Sequence, residues 1–294
     1  MSLLRALVIV ALLLAMSSAS FAADPSTQPY AKFILDFISR TDPALQAEVE
    51  KLDQSLRDKF GMTRDQTAVG VLDLRRERLA FVNPDRGDYG ASVPKIGILL
   101  AYFELTPRAA TELDPTVKNE LGQMIKVSSN EMASKYSHEL GLKAIQAAID
   151  RYKLYDPQRG GGIWVGKHYG KDAERYPDPV GKHSHAITIR QVMRFYLLMM
   201  QGKLVSPEAS QRMREIFLSP QIPHQQNKFV AGLTGRDGLT ILRKSGTWEN
   251  WRHDSAVVEG KDRHYIIVGM TNHPKGDEYL VEFGRGVDDF MRKK

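Results

Sequence analysis

Ala91-Ser92-Val93-Pro94-Lys95 runs without a break into the apolar stretch Ile96-Gly97-Ile98-Leu99-Leu100-Ala101-Tyr102-Phe103. An apolar run of this kind predicts a buried helix. A serine at its start with a lysine three residues on would share one face, one turn apart. That pairs a hydroxyl nucleophile with a possible base. The helix N-terminus adds unpaired N–H groups and the positive end of a dipole, which suit a developing oxyanion. Pro94 is compatible with a first turn, where its missing N–H would be unpaired anyway. The plainer alternative is that Ser92 caps the helix and Lys95 is a solvated first-turn residue, so the choice rests on the rest of the chain.

Upstream, Met1 to Ala22 has the form of a secretory signal: Arg5, an apolar core from Ala6 to Met16, and small residues ending at Ala22. The expected division is a signal peptide over 1–22 and a single catalytic domain over 23–294. The apolar run is shorter than the roughly 20 residues a membrane span needs, and none follows, so an exported protein in the periplasm or medium, without a transmembrane anchor, is expected. The chain of 294 residues has no cysteine, which excludes disulfides, a thiol nucleophile and cysteine metal sites. Its net charge of +6 suits acidic envelope polymers. The basic residues are spread along the chain, so nucleic acid is not an expected partner.

Apolar spacing predicts helices over 33–38 and 45–56 with a break at Thr41-Asp42-Pro43. A hairpin follows, from Gln66–Leu74 and Arg78–Val82. Further helices are expected over 113–140, interrupted at Val127 to Asn130, and over 142–152, 188–200 and 207–218. The segment 156–185 is a long irregular loop. Three strands, 239–247, 253–258 and 264–271, precede a last helix over 278–291. The expected fold is therefore α+β, an α/β sandwich: one antiparallel five-stranded sheet built from both ends of the chain (about 30–90 and 225–294), flanked by helices, with an all-helical subdomain over about 91–224.

Three short motifs lie along this order: Ser92-x-x-Lys95, Ser128-x-Asn130 at a helix break, and Lys244-Ser245-Gly246 on a strand. With them the chain resembles the penicillin-recognising serine enzymes, most closely the class A β-lactamases, with the D-alanyl-D-alanine peptidases as cousins. The resemblance implies that Ser92 attacks a carbonyl and is acylated, with Lys95, desolvated and near Lys244, as base or proton relay. It implies that Ser128 passes a proton to the leaving nitrogen and that Asn130 holds the substrate's amide side chain. Lys244 and Ser245 would receive a substrate carboxylate, and Gly246 would let the substrate lie against the strand. The N–H groups of Ser92 and Thr247 would form the oxyanion hole. No cofactor and no metal are implied; the expected partners are a small-molecule β-lactam or a peptidoglycan stem peptide, and the expected state is a monomer.

The chain departs from the class A pattern in three ways. The loop 156–185 has no glutamate-x-x-leucine-asparagine; counting back from Thr188-Ile189 leaves Asp172 and Glu174 as candidates for activating the deacylating water. Ser129 stands where an aspartate is usual, and the interval from Ser92 to Ser128 is short. Trp164 has a parallel in the loop tryptophan of class D β-lactamases, but a core aromatic is the expected role. Trp248, Trp251 and Arg252, just after the third motif, fit the border of a substrate cleft and strand-end packing on the sheet equally well, whereas His183, His185 and His253 read as scattered surface or core histidines. Three functions fit: a β-lactamase, a D-alanyl-D-alanine carboxypeptidase or related cell-wall amidase, and a catalytically silent envelope-binding or sensor module.

Overall fold

The computed structural model describes residues 25–171 and 175–292. The predicted signal segment and both Asp172 and Glu174 lie outside the described residues.

Helix α1 (Pro43–Phe60) starts where Asp42 accepts from the Leu45 N–H with Pro43 at the first helical position, and it stops at Gly61 in the left-handed region (φ 69°). Strands β1 (Thr67–Asp73) and β2 (Arg78–Val82) form the expected hairpin. The expected helix over 33–38 does not form. There the Asp36 carboxylate accepts from the Ile38 N–H (2.9 Å) and the Ser39 hydroxyl (3.0 Å), while the Asp36 N–H donates to Ser39 Oγ (2.9 Å). These side-chain bonds take the backbone groups a helix would need and close a tight turn instead.

Strand β3 (Asp88–Tyr89) leads to α2 (Lys95–Leu105), then α3 (Pro115–Lys126), α4 (Asn130–Leu140) and α5 (Leu142–Arg151). The loop beyond is pinned by short strands: β4 (Tyr155–Asp156), β5 (Gly161–Gly162), β6 (Trp164–Val165) and β7 (His185–Ile187). Of these, β3, β7 and β6 form one small sheet in that order, which fastens the loop to the approach to Ser92. Helices α6 (Ile189–Met200), α7 (Pro207–Leu218) and the short α8 (Lys228–Leu233) follow. Strands β8 (Thr240–Trp248), β9 (Trp251–Glu259) and β10 (His264–Asn272) and helix α9 (Gly276–Arg292) complete the chain.

The main sheet is antiparallel in the order β2-β1-β10-β9-β8, so strands from both ends of the chain pair at β1 and β10. Alternation along β10 sends Ile266, Val268 and Met270 into one apolar cluster with Phe103 of α2 and Phe195 of α6, and Tyr265 and Ile267 into another with Val49 of α1 and Phe283 of α9. Strand β8 is an edge, and its outer side is left to the turn that carries Ser92. This is the α+β architecture expected from the sequence, a five-stranded antiparallel sheet with helices on both faces. Among the described residues, no helix is long and apolar enough to cross a membrane.

Candidate active site

Ser92 lies in the turn 91–94 rather than in the first turn of a helix, because α2 begins only at Lys95. The N–H groups of Lys95, Ile96 and Gly97 bond three residues back, to Ser92, Val93 and Pro94 (3.3, 3.2 and 2.8 Å). Bonds of this i→i−3 kind wind the entry more tightly than an α-helix. The spacing of one turn between Ser92 and Lys95 survives. Ala91, just before the serine, has φ 48°, a strained setting for a residue with a Cβ.

The second motif occupies the break between α3 and α4. Ser128 has φ 63°, and Ser129 caps α4 by accepting from the Met132 N–H (3.1 Å). A capping role gives a local reason for serine at that place. The third motif lies on β8, where Gly246 faces the Ser92 turn: a Cβ on it would stand 2.9 Å from the Gly90 carbonyl oxygen and 3.0 Å from the Ser92 nitrogen. Only a residue without a side chain permits that approach.

The three motifs meet at the Ser128 hydroxyl. Lys244 Nζ donates to it at 2.8 Å and to the Ser245 carbonyl at 2.6 Å. Lys95 Nζ lies 3.4 Å from the same hydroxyl and donates at 2.6 Å to the Ser128 carbonyl and at 2.7 Å to Asn130 Oδ1. Both lysines are fully buried. Burial lowers the Lys95 amine to about 7 and drives Lys244 well down, with the neighbouring Lys95 charge adding to the effect on Lys244. A third acceptor, the Ser129 carbonyl, lies 3.3 Å from the same Nζ, so three oxygens face an amine that has three hydrogens when protonated and two when neutral. Because Asn130 Oδ1 receives Lys95, its amide hydrogens are left to donate elsewhere. The Ser92 hydroxyl, half-buried at the cleft, makes no hydrogen bond among the described residues.

Ser92, Asn130 and Thr247 line a cleft of about 230 Å³ together with Tyr89, Tyr169 and Trp248. Trp248 is 56% exposed at its rim, as the sequence suggested. Trp251 instead packs edge-on against Tyr89 (5.3 Å) and donates to Asp88, and Arg252 approaches Asp277. Trp164 lies outside the cleft, leaning on Tyr155 and donating to the Tyr176 carbonyl, so the class D parallel finds no support in its position.

Four residues near the cleft were not singled out for function in the sequence. Tyr169 sets its ring 4.5 Å from Lys95 Nζ and donates its hydroxyl to the Ala91 carbonyl (3.2 Å). Tyr89 fills one wall. His185, expected only as a scattered histidine, lines the cleft, and burial holds it neutral by lowering it to about 4. Its Nε2 faces the Lys167 carbonyl, which places the proton there and leaves Nδ1 to accept from Ser184. Lys228, buried and strained at φ 49°, donates to the Gly246 carbonyl (2.8 Å), Thr247 Oγ1 (2.6 Å) and the His253 carbonyl (3.2 Å). Burial lowers it to about 8. Nothing in the local sequence of Lys228 marks it, because its partners come from strands distant along the chain.

No carboxylate lines the cleft among the described residues. Beneath the third motif Asp254 is buried, but it pairs with Arg243 (2.7 Å) and accepts from the Phe229 N–H (3.0 Å). Lys167 is the lysine that lines the cleft, while Lys95 and Lys244 lie beneath it around the Ser128 hydroxyl.

A serine, two depressed lysines and a shared hydroxyl on this fold define a β-lactamase-like hydrolase. The chain belongs to the beta-lactamase enzyme family, whose model matches residues 105–285. Among solved structures it is similar to a beta-lactamase from Sphaerobacter thermophilus, with 13% identity, a TM-score of 0.67, and coverage of 83% of this chain and 97% of that one. It is similar also to PBP-A in an acyl-enzyme complex with penicillin G (18%, 0.66, 85% and 98%) and to a beta-lactamase from Chitinophaga pinensis (13%, 0.66, 84% and 99%). At such identities the likeness carries the fold. No curated protein sequence matches the chain.

Proposed function

We propose that the protein is an exported, active-site-serine hydrolase of the class A type that opens β-lactam amides through an acyl-Ser92 intermediate. The observation that supports this best is the Ser128 hydroxyl held between two buried amines whose affinity for protons is reduced. Ser92 Oγ attacks the carbonyl and its proton passes to the neutral Lys95 amine. The C–N bond then breaks, and the leaving nitrogen takes a proton from Ser128, which is resupplied along the Lys95–Lys244 pair. The N–H groups of Ser92 and Thr247 receive the oxyanion. Lys244, Ser245 and Thr247 receive the substrate carboxylate, and Asn130 donates to the amide side chain. Water then cleaves the ester.

A second reading keeps the acylation and changes the natural substrate to a D-alanyl-D-alanine stem peptide. It is favoured by the lack of a carboxylate among the described cleft residues and by Tyr169, which covers Lys95 on the loop side where a water-activating acid would be sought. Intact-protein mass spectrometry with penicillin, followed over time against a Ser92→Ala control, separates the two. An adduct that forms and disappears is the expected result for a β-lactamase; one that persists supports the peptidase. Absence of any adduct on the wild-type chain would defeat both.

A further inference from the structure

A side chain outside all three motifs touches both Lys95 and the turn that carries Ser92. Tyr169 lies in the loop between β6 and β7 and is buried. The face of its ring stands 4.5 Å from Lys95 Nζ, and its hydroxyl donates to the Ala91 carbonyl at 3.2 Å. Ala91 is the residue that enters the Ser92 turn, in the left-handed region at φ 48°. The ring is itself braced. His185 of β7 lies against it with 4.3 Å between ring centroids, and the His185 carbonyl accepts from the Gly90 N–H at 2.9 Å, so the same strand that backs Tyr169 also holds the approach to Ser92.

The face of an aromatic ring is the negative end of its quadrupole. It attracts an ammonium within about 6 Å, and more strongly when the pair is removed from water. Lys95 meets both conditions, since its side chain is fully buried. Three oxygens also face the amine, the Ser128 and Ser129 carbonyls and Asn130 Oδ1, but the charged and titratable groups around it offer no counter-ion. Lys244 of β8, which shares the Ser128 hydroxyl, is a second amine; His185 is held neutral; and no carboxylate among the described residues acts on Lys95. Tyr169 is therefore placed to offset part of what burial costs the ammonium.

We propose that Tyr169 is a positioning residue for acylation: its ring stabilises the ammonium that Lys95 becomes, and its hydroxyl holds the Ala91 end of the nucleophile's turn. The inference rests on the reading of Lys95 as the base of Ser92. In that step the proton leaves Ser92 Oγ for Lys95 Nζ as Oγ bonds to the substrate carbonyl carbon, so positive charge arrives under the ring as the reaction proceeds. The two contacts have separable consequences. Weakening the ring face should shift Lys95 toward the neutral amine. Removing the hydroxyl should disturb the placement of Ser92 and slow acylation without moving that balance.

Three forms of the full chain test this: the wild type, Tyr169→Phe, and the chain with pentafluorophenylalanine at position 169, which nearly keeps the outline of the phenylalanine ring and draws electron density from its face. NMR of lysine labelled at Cε, with the Lys95 signal assigned by its loss in Lys95→Arg, gives the titration midpoint of the amine without any substrate. Tyr169→Phe should keep the wild-type midpoint to within about 0.2 pH units, and the fluorinated ring should lower it by at least about half a pH unit, a roughly threefold fall in the ratio of ammonium to amine. The acid limb of the penicillin acylation rate should move with the midpoint, whereas Tyr169→Phe should lower the plateau about three- to tenfold with the limb in place. Equal midpoints for phenylalanine and its fluorinated form, or a higher one for the latter, would overturn the role of the ring; an unchanged plateau in Tyr169→Phe would overturn that of the hydroxyl. Either result on a wild type that penicillin acylates counts against this inference alone, while a wild type that takes no adduct defeats the hydrolase reading and the positioning role with it.

Discussion

Lys95 is buried without a carboxylate, and the cost of that burial is what makes it useful. With its amine lowered to about 7, the acceptor form grows as pH rises, so the rate of Ser92 acylation should climb with pH and level off above about 7. Lys95→Arg stays protonated at every accessible pH, and the acylation rate should fall by about 10²–10⁴. A wild-type rate that does not change with pH would remove Lys95 from the role of base. The same shift has a thermodynamic signature. Because the folded value lies below the ordinary 10.5, the unfolded chain binds more protons between about 7 and 10.5. Stability should therefore increase with pH across that window, with the full burial penalty present below it. Lys228, lowered to about 8, adds a slope of the same sign between about 8 and 10.5. Urea midpoints at both ends of the window should differ less in Lys95→Met than in the wild type.

Edge strand β8 and the turn that carries Ser92 function as one unit because Gly246 lets them touch. Gly246→Ala would place a methyl 3.0 Å from the Ser92 nitrogen, and neither partner is the free end of a side chain. The turn must shift by a few tenths of an ångström, which should slow acylation about ten- to hundredfold while stability changes by about 1–2 kcal/mol. Equal acylation rates in the two proteins, measured by the same mass-spectrometric time course, would show that the turn yields freely. The elements were largely legible in the sequence because their signals are local: the hairpin at 67–82, the break at Ser128, and the three C-terminal strands all follow from periodicity and turn chemistry. Failures came where side chains overrode spacing or where partners lie far off in sequence. Asp36 and Ser39 turned a helical pattern into a tight turn. Tight i→i−3 turns over 92–97 leave α2 to begin at Lys95. Helix α9 passes through Gly284, where a Cβ would stand 3.0 Å from the Phe229 ring and 3.3 Å from its Cα, so a residue that weakened the helical pattern is what allows α8 and α9 to cross closely. For the site, the motif residues could be found in the sequence, whereas Tyr169, His185 and Lys228 could not. They contribute through packing and through strands that meet only after folding.

At the scale of the whole molecule, the sheet joins two apolar clusters that have no separate backbone support. Strand β1 comes from the start of the chain and pairs with β10 near its end, and α6, from the middle of the chain, packs against β1, β9 and β10. The helices that hold Lys95 and Ser128 therefore have no sheet to rest on unless the C-terminal strands are in place, and α1 and α9 have none unless β1 is. Cooperative unfolding follows: far-UV circular dichroism, which reports the helices of both layers, and fluorescence of Trp164, Trp248 and Trp251, which reports the loop and sheet, should give coincident urea transitions. Phe103→Ala in one cluster and Phe283→Ala in the other each delete a fully buried ring and should each cost about 3–5 kcal/mol. If the layers are coupled through the sheet, both variants move both probes together and leave one transition. Separate transitions, or a variant that shifts one probe alone, would mean that the helical layer folds independently. The alignment of Ser92, Ser128 and Lys244 would then depend on docking between two units rather than on a single fold.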